Sequence, residues 1–235
     1  RNLVNLVYPP ACLLCQRRLS SHEPCVCEGC ERAMPRLHPP VCQRCGRALP
    51  GAYDAHLECR RCRQRPLAFE QARAPFVYTG AVREAVHAFK YHGHRRLGRW
   101  LAQGMAETAQ QHRGVSACDL IVPVPMHWLK RCVKGLNPAS SLAHALSRSL
   151  RKPCDGRALH RIRWTATQTR LTRSQRLRNV SGAFRARGAA IHRRRILLVD
   201  DVLTTGATAH ACALALREAG AASVSVLTAA AARSG

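Results

Sequence analysis

Four C-x2-C cysteine pairs within residues 12–62 limit the fold of this 235-residue chain more than any other feature. By spacing they form two sets, C-x2-C-x11-C-x2-C and C-x2-C-x13-C-x2-C. The first set is Cys12, Cys15, Cys27 and Cys30, and the second is Cys42, Cys45, Cys59 and Cys62. Four thiolates favour a tetrahedral Zn²⁺, and a site whose four positions are all filled by protein is structural. Iron–sulfur ligation is the alternative, although cluster motifs usually space their cysteines differently.

The sequence therefore predicts one or two structural zinc ions near the amino terminus. The pairs could share ions sequentially or in an interleaved order, and we choose the sequential order because it is more compact, with Cys25 left over. Nine of the thirteen cysteines precede residue 63, in a proline-rich stretch without a long periodic segment. Such a stretch cannot build a core unaided. We predict a cysteine-rich module over 1–66 and a second domain over 67–235.

Composition indicates in which compartment the protein acts and which class of partner it binds. The opening "RNLVNLVYPPAC" lacks the apolar core of a secretory signal, and no window is apolar enough to span a membrane. We expect a cytoplasmic protein without membrane insertion, whose cysteines bind metal rather than form disulfides. The chain has 38 Lys and Arg against 13 Asp and Glu, a net charge of +25. This charge favours nucleic acids or phosphorylated metabolites as partners, or it reflects a solvated, arginine-rich surface.

Beyond residue 66, apolar runs alternate with helical periodicity. Residues 97, 101 and 105 lie four apart on one helix face, and Asn137 and Pro138 are a typical cap and first position of another helix. The predicted strands are 73–80, 119–125, 158–163, 196–199 and 223–229, and the predicted helices are 81–93, 96–112, 137–150 and the segment that ends at Gly220. This alternation predicts an α/β fold, a parallel sheet with helices on both faces.

The stretch "ILLVDDVLTTGAT" (196–208) holds the candidate site. A central strand over 196–199 would place Asp200 and Asp201 at its carboxyl end, where open α/β sheets bind ligands. The turn that follows opens a helix whose N–H groups and dipole favour an anion, and Gly206 lets the backbone approach it. The turn is neither a Walker loop nor a GxGxxG turn. The acids suit ribose hydroxyls, directly or through a divalent cation.

The alternative is structural: two acids at a strand end, and threonines that cap a helix. Paired like charges cost stability unless something binds them, because each disfavours ionisation of the other. Buried charge without a partner is strongly disfavoured. The whole pattern therefore favours a ligand site.

"LLVDDVLTTGAT" resembles the phosphoribosyl pyrophosphate signature of type I phosphoribosyltransferases. The whole chain is more specifically similar to the ComF (ComFC) family of competence-associated proteins. The matching stretches, in the family's order, are "FKYHGH" (89–94), "IVPVPMHWLKRCVKGLNPA" (121–139), "TQTRLTRSQRLRNVSGAF" (167–184) and the acidic signature. The resemblance implies a five-stranded parallel core with helices on both faces, preceded by a zinc module.

The resemblance also implies residue roles in binding phosphoribosyl pyrophosphate with Mg²⁺. Asp200 and Asp201 would contact the ribose hydroxyls, and Lys90 with Tyr91 is the candidate for the pyrophosphate. The mobile catalytic loop would be 167–180. The turn that would hold the 5′-phosphate comprises Thr204, Thr205, Gly206, Ala207 and Thr208. The polar positions that match in the catalytic loop are Gln168, Arg176 and Asn179, with Arg176 the catalytic candidate.

The chain departs from the family in two places. Lys134 and Leu136 stand where Arg and Phe are usual in Arg-Gly-Phe-Asn, and Gln175 replaces a usual Glu. Lysine keeps the charge but loses the bidentate fork of arginine. Loss of the Glu removes a candidate proton acceptor.

Two functions follow from the sequence. The first is phosphoribosyl transfer, and the second is a non-catalytic module that binds single-stranded DNA or senses nucleotides and engages the DNA-uptake machinery. Twelve arginines and no acid lie between Asp155 and Asp200, and Trp164 lies among them. Arginine planes with an occasional aromatic side chain suit single strands. On its own, this run favours a solvated surface, and only its position beside a phosphate site favours pyrophosphate or a nucleic acid strand as its partner.

Overall fold

A computed structural model describes residues 10–20, 22–49, 51, 57–126, 137–163 and 182–232. Its helices are α1 (Glu28–Arg32), α2 (Arg60–Gln64), α3 (Gly80–His92), α4 (Arg95–Gln111), α5 (Arg113–Ser116), α6 (Pro138–Leu150) and α7 (Ala207–Glu218). Its strands are β1 (Gln71–Arg73), β2 (Phe76–Val77), β3 (Leu120–Pro123), β4 (Leu159–Arg161), β5 (Phe184–Ala186), β6 (Arg195–Leu203) and β7 (Ser223–Ala231).

Five of these strands form one parallel sheet. The order is β1-β7-β6-β3, and β2 pairs with β7 beyond β1 on the same side. Short β1 and β2 stand where the sequence predicts one strand over 73–80, and α3 already begins at Gly80. The interruption falls at Ala74 and Pro75, since proline cannot donate to a ladder.

Both faces of the sheet are buried, as the continuous apolar runs predict. On one face Ile121 and Leu197 pack with α3, α4 and α6, and on the other Leu198 and Val226 pack with α7. The predicted α/β class, a parallel sheet with helices on both faces and a cysteine-rich module before it, is therefore confirmed.

Local signals set the helices that cover the first face. Leu97, Leu101 and Met105 are all 0% exposed, so the predicted apolar stripe of α4 is the buried one. Asn137 caps α6 by accepting a hydrogen bond at Oδ1 from Ala139 N at 3.2 Å, and Pro138 opens the helix. Its Nδ2 donates to the carbonyl of Val124 at 3.0 Å, which ties α6 to the end of β3.

A two-stranded antiparallel hairpin flanks α7. The sequence predicts β4 but not β5, and the two pair from Leu159↔Ala186 to Arg161↔Phe184. Leu159 and Phe184 join the same buried cluster as α7, while His160 and Arg185 stay exposed.

The cysteine-rich module covers the β1–β2 edge of the sheet. Val77 N donates to Pro35 O at 2.8 Å, and Ala72 N donates to Arg44 O at 2.7 Å. Gly46 has φ +68°, and a Cβ there would lie 2.2 Å from Ala72 O, so only glycine permits this approach. The module thereby satisfies backbone groups that an open sheet edge would leave unpaired. No helix of the described chain is both long and apolar enough to cross a bilayer.

Candidate functional site

Asp200 and Asp201 lie inside β6 rather than after it. The predicted strand over 196–199 continues to Leu203, because β7 keeps pairing with it through Leu203↔Ala231. On the opposite side β3 ends at Pro123↔Val199. The two acids therefore lie just past the carboxyl end of the neighbouring strand, although the prediction that their own strand ends before them is wrong.

Lys90 joins this acid pair from helix α3. Its Nζ lies 2.7 Å from Oδ2 of Asp201, and both side chains are largely buried, 25% and 16% exposed. Burial alone would lower the pKa of Lys90, but the charge and hydrogen bond of Asp201, with the charge of Asp200, raise it above its ordinary value. Lys90 is therefore a fixed cation beside the two acids.

Asp200 has the most perturbed carboxyl group of the site. Burial, followed by the charge of Asp201, raises its pKa to about 7, although Lys90 acts in the opposite direction. Its Oδ1 accepts a hydrogen bond from the backbone N–H of Asp201 at 2.9 Å. A raised carboxyl pKa at the ligand-binding edge of an α/β sheet is typical of a functional site.

Arg161 and Cys212 are the further neighbours of Asp200, and their roles do not follow from sequence spacing. The guanidinium of Arg161 lies 5.5 Å from the ring centroid of Phe184 and acts electrostatically on Asp200. Burial, then the charge of Asp200, raises the pKa of Cys212 well above its ordinary value. Cys212 is therefore a neutral, fully buried thiol near Asp200.

The predicted phosphate turn connects β6 to α7. Gly206 is the N-cap of α7 with φ +79°, a left-handed conformation that glycine adopts without strain. The hydroxyl of Thr205 accepts a hydrogen bond from Ala207 N at 3.3 Å. Thr204 and Thr208 are partly buried in the same turn. The left-handed conformation therefore gives Gly206 a reason to be glycine, and the binding of a phosphate by this turn stays a prediction.

The remaining predicted residues are Tyr91, which is exposed on α3, and residues that lie outside the described part of the chain. Tyr91 is 54% exposed, and its ring lies 4.3 Å from that of His87 on the surface of α3. The loop residues Gln168, Gln175, Arg176 and Asn179, together with Lys134, Gly135 and Leu136, lie outside the described residues. Their roles stay predictions.

The eight predicted cysteine ligands form two clusters. Within each, the four sulfur atoms lie within 4.8 Å of one another, and the clusters are Cys12, Cys15, Cys27, Cys30 and Cys42, Cys45, Cys59, Cys62. We call these the first and the second knuckle. The pairing is the sequential one, and Cys25 belongs to neither cluster.

The sulfur geometry fits a tetrahedral zinc ion. Zn–S bonds of about 2.3 Å place tetrahedral ligand sulfurs about 3.8 Å apart. Cys15 and Cys27 have Sγ atoms 3.6 Å apart, and Cys45 and Cys59 have Sγ atoms 3.8 Å apart. Backbone N–H groups also donate to the sulfurs, for example Cys59 N to Cys42 Sγ at 3.3 Å. Such hydrogen bonds favour thiolates, the form that binds metal.

The two knuckles have different neighbours. The first lies in the buried cluster that also contains Leu97 and Leu101. The second reaches the phosphate turn, because Arg61 Nη2 in α2 donates to Thr205 O at 3.1 Å. Near it, Ala68 N donates to Nδ1 of His210, a residue of α7. No motif in the sequence indicates these contacts between the second knuckle and the turn, because they join residues more than 140 positions apart.

Taken together, the fold and the sites define a class: an α/β protein with an acid–lysine cluster at the carboxyl edge of its parallel sheet and two cysteine knuckles with zinc geometry. The double zinc ribbon domain model matches residues 3–63. The DNA utilization protein YhgH of Escherichia coli K12 is 32% identical over 178 residues, which cover 74% of this chain and 78% of that protein. The chain belongs to the ComF family.

Other relatives carry competence names. Competence protein F of Haemophilus influenzae is 28% identical over 171 residues, with 69% of this chain and 73% of that protein covered. Competence protein ComFC of Bacillus subtilis is 28% identical over 180 residues, with 74% and 72% covered. Among solved structures, glutamine phosphoribosylpyrophosphate amidotransferase from B. subtilis, complexed with ADP and GMP, matches 55% of this chain and 25% of its own, with 22% identity and a TM-score of 0.38.

Proposed function

We propose that this protein binds phosphoribosyl pyrophosphate with Mg²⁺ at the acid pair and the Thr204–Thr208 turn, and that it catalyses phosphoribosyl transfer. The observation that carries the proposal is the cluster of Asp200, Asp201 and Lys90 beside that turn. The Lys90–Asp201 distance is 2.7 Å, and the pKa of Asp200 is raised to about 7. The pairing of the strands does not depend on these three side chains, so a bound ligand is the better explanation for two acids and a cation at one place.

A phosphoribosyl group satisfies this cluster. The two carboxylates accept hydrogen bonds from the ribose diol, and the turn at the start of α7 holds the 5′-phosphate. Lys90 can leave Asp201 for the pyrophosphate, which replaces one anionic partner by another. Mg²⁺ prefers carboxylate and phosphate oxygens and would neutralise the leaving group. A nucleophile then attacks C1 as the bond to the pyrophosphate breaks.

The relatives give the proposed setting. Their names refer to competence and to DNA utilization. We infer that this protein acts in DNA uptake or natural transformation, in the cytoplasm, with the zinc ribbon and the transferase-like sheet as one unit.

Isothermal titration of the zinc-loaded protein with phosphoribosyl pyrophosphate and Mg²⁺ tests the binding proposal. We expect micromolar affinity, and an affinity at least ~10-fold weaker for the double variant Asp200→Asn, Asp201→Asn, because the diol loses its charged acceptors. Asp119→Asn is the matched control. It removes one carboxylate at the opposite edge of the sheet, where Asp119 pairs with Arg195 at 2.7 Å.

This control distinguishes the loss of a carboxylate at the site from a general change in the charge of the protein. Affinity should be unchanged in Asp119→Asn. Equal affinity in the wild type and the double variant, or no heat of binding by the folded wild type, would contradict the proposal.

A second candidate function is binding of single-stranded DNA by the hairpin β4–β5. His160 pairs with Arg185 in the antiparallel register, and both side chains are exposed. The segment from 156 to 199 contains no acid to oppose them. The exposed basic side chains on and beside this hairpin are Arg157, His160, Arg163, Arg185 and Arg187.

Salt dependence tests the DNA candidate. For three phosphate contacts on a single strand, affinity for an oligothymidylate should fall about 20-fold between roughly 50 mM and roughly 200 mM salt, because bound counterions are released. The double variant Arg185→Gln, Arg187→Gln should reduce the slope by about 1.4, whereas the exposed Arg60→Gln on α2 should leave it unchanged. Affinity that is flat across this range would exclude the candidate. Fluorescence anisotropy of a labelled oligothymidylate measures the affinity at each salt concentration, and the slope follows from these affinities.

A further inference from the structure

A cavity of about 170 Å³ lies between the second knuckle and the phosphate turn. Its walls include Arg47, Arg61, Phe69, Thr205 and His210, and neither Asp200, Asp201 nor Lys90 lines it. One buried water needs about 10–15 Å³ of such space. The cavity therefore has room for a small polyatomic group rather than a single water.

The charge around this cavity is positive. Three arginines line it, the third being Arg65, which is exposed and lies at its rim. No Asp or Glu of the described residues lines it. Glu58, an acid of the second knuckle, pairs with Arg44 at 3.0 Å and is therefore engaged elsewhere.

Arg47 is the residue that points to a ligand. It is only 6% exposed, yet within the described residues its guanidinium makes no hydrogen bond and no ion pair. Burial of a charged group is costly unless the charge is paired and its donors are satisfied. The side-chain nitrogens of Arg47 keep some contact with solvent, so their N–H donors are open to a ligand in the cavity.

His210 offers a further donor at the cavity. Its Nδ1 accepts from Ala68 N at 3.0 Å, so the neutral ring carries its proton on Nε2. Burial lowers the pKa of His210, which favours this neutral form. On the other wall, Arg61 is anchored by its hydrogen bond to Thr205 O at 3.1 Å.

We propose that this cavity binds a phosphate group, either as free phosphate or on a small phosphomonoester, with Arg47 as its buried anchor. The acceptor chemistry matches: tetrahedral phosphate oxygens pair with the fork of an arginine in bidentate geometry. The acid pair and Lys90 do not line this cavity, but Thr205 and Gly206 of the phosphate turn border it, so its occupancy would couple the zinc ribbon to that turn.

Zinc supplies the competing explanation for Arg47. A zinc ion with four thiolates carries two net negative charges, and Cys45 and Cys62 of the second knuckle also border the cavity. On that reading the arginines only offset the metal site. The two explanations differ in what the loss of Arg47 changes: phosphate affinity in one, zinc retention in the other.

Calorimetric titration of the zinc-loaded full chain with inorganic phosphate, and then with ribose 5-phosphate, tests the proposal. We expect binding by the wild type that becomes at least ~10-fold weaker in Arg47→Gln and several-fold weaker in the rim variant Arg65→Gln. The matched control is Arg60→Gln, which removes an exposed neighbouring arginine that does not line the cavity. Affinity for inorganic phosphate should be unchanged in Arg60→Gln. Ribose 5-phosphate is titrated in the Asp200→Asn, Asp201→Asn background, so that its binding to the acid pair does not contribute to the comparison.

Zinc content and melting temperature are measured on each variant. If Arg47→Gln loses zinc and folds poorly, the phosphate affinity of the rim variant Arg65→Gln tests the proposal instead. Tighter binding of ribose 5-phosphate than of phosphate would support a phosphomonoester, and equal binding would support the free ion. No phosphate binding by the wild type, or equal affinity in Arg65→Gln and wild type together with zinc loss in Arg47→Gln, would overturn the proposal.

Discussion

Removal of zinc will unfold the cysteine-rich module and lower the free energy of unfolding of the whole chain. Structural zinc contributes about 10 kcal/mol to the folding of small modules at neutral pH. Part of this loss reaches the sheet domain, because Cys12 and Cys27 share a buried cluster with Leu97 and Leu101 of α4. We expect two zinc ions per chain, and a steep fall in melting temperature when a chelator removes them.

The two knuckles will respond differently. Cys12→Ser should lower the stability of the whole domain, because the first knuckle is part of the main core. Cys42→Ser should release one zinc but leave that core folded, because the second knuckle forms a separate small cluster against Leu49 and Leu67. Its effect should appear at the turn that Arg61 contacts.

Cys25→Ser is the matched control for this experiment. Cys25 is 1% exposed within the same module but belongs to neither sulfur cluster. It should cost about 1–3 kcal/mol for a buried hydroxyl while both zinc ions stay bound. Colorimetric zinc release and circular dichroism measure the two effects. A Cys12→Ser protein with two zinc ions and the melting temperature of Cys25→Ser would contradict the assignment.

Local sequence signals account for much of the fold. The four-residue spacing of Leu97, Leu101 and Met105 and the Asn137–Pro138 cap act within one or two helical turns, and both appear as predicted. The cysteine spacing likewise restricts which sulfurs can meet. These features depend on residues that are close in sequence, so they can be predicted from the sequence alone.

The remaining features depend on partners distant in sequence. β6 continues past Val199 because β7 accompanies it, and nothing within the run of residues 196–203 could indicate this. Lys90 and Asp201 meet across more than a hundred residues, at 2.7 Å. The second knuckle reaches the turn through Arg61 in the same way. The sequence therefore named the acids and the turn, and the family resemblance named Lys90, but neither predicted the contact of Lys90 with Asp201 or that of Arg61 with the turn.

Asp200→Asn will stabilise the unliganded protein, whereas Lys90→Met will destabilise it. Asp200 has a pKa of about 7 in the folded protein against an ordinary 3.8, so the folded state holds a proton that the unfolded chain releases between these values. Stability therefore falls as pH rises from about 4 to about 7, and the penalty is full above that range. Allowing for its coupling to Asp201 and Lys90, we expect Asp200→Asn to gain about 1–2 kcal/mol near pH 8 and less near pH 6.

Lys90→Met leaves the acid pair without its cation. Breaking a buried pair costs about 3–5 kcal/mol, and since Lys90 and Asp201 retain some exposure we expect about 2–3 kcal/mol. Adding Asp201→Asn to Lys90→Met should recover most of the loss, because the stranded charge is removed. Urea unfolding at about pH 6 and about pH 8, with a constant m-value, measures each difference.

Glu84→Gln, an exposed carboxylate on the same helix as Lys90, is the control and should change stability by less than about 0.5 kcal/mol. The sign of the Asp200→Asn effect decides between the two interpretations of the acid pair. An acid that lowers the stability of its own fold is retained for what it binds, since a purely structural residue would contribute to the fold. If Asp200→Asn destabilises the protein near pH 8, the two acids and Lys90 form a structural network, and the phosphoribosyl proposal loses its physical basis.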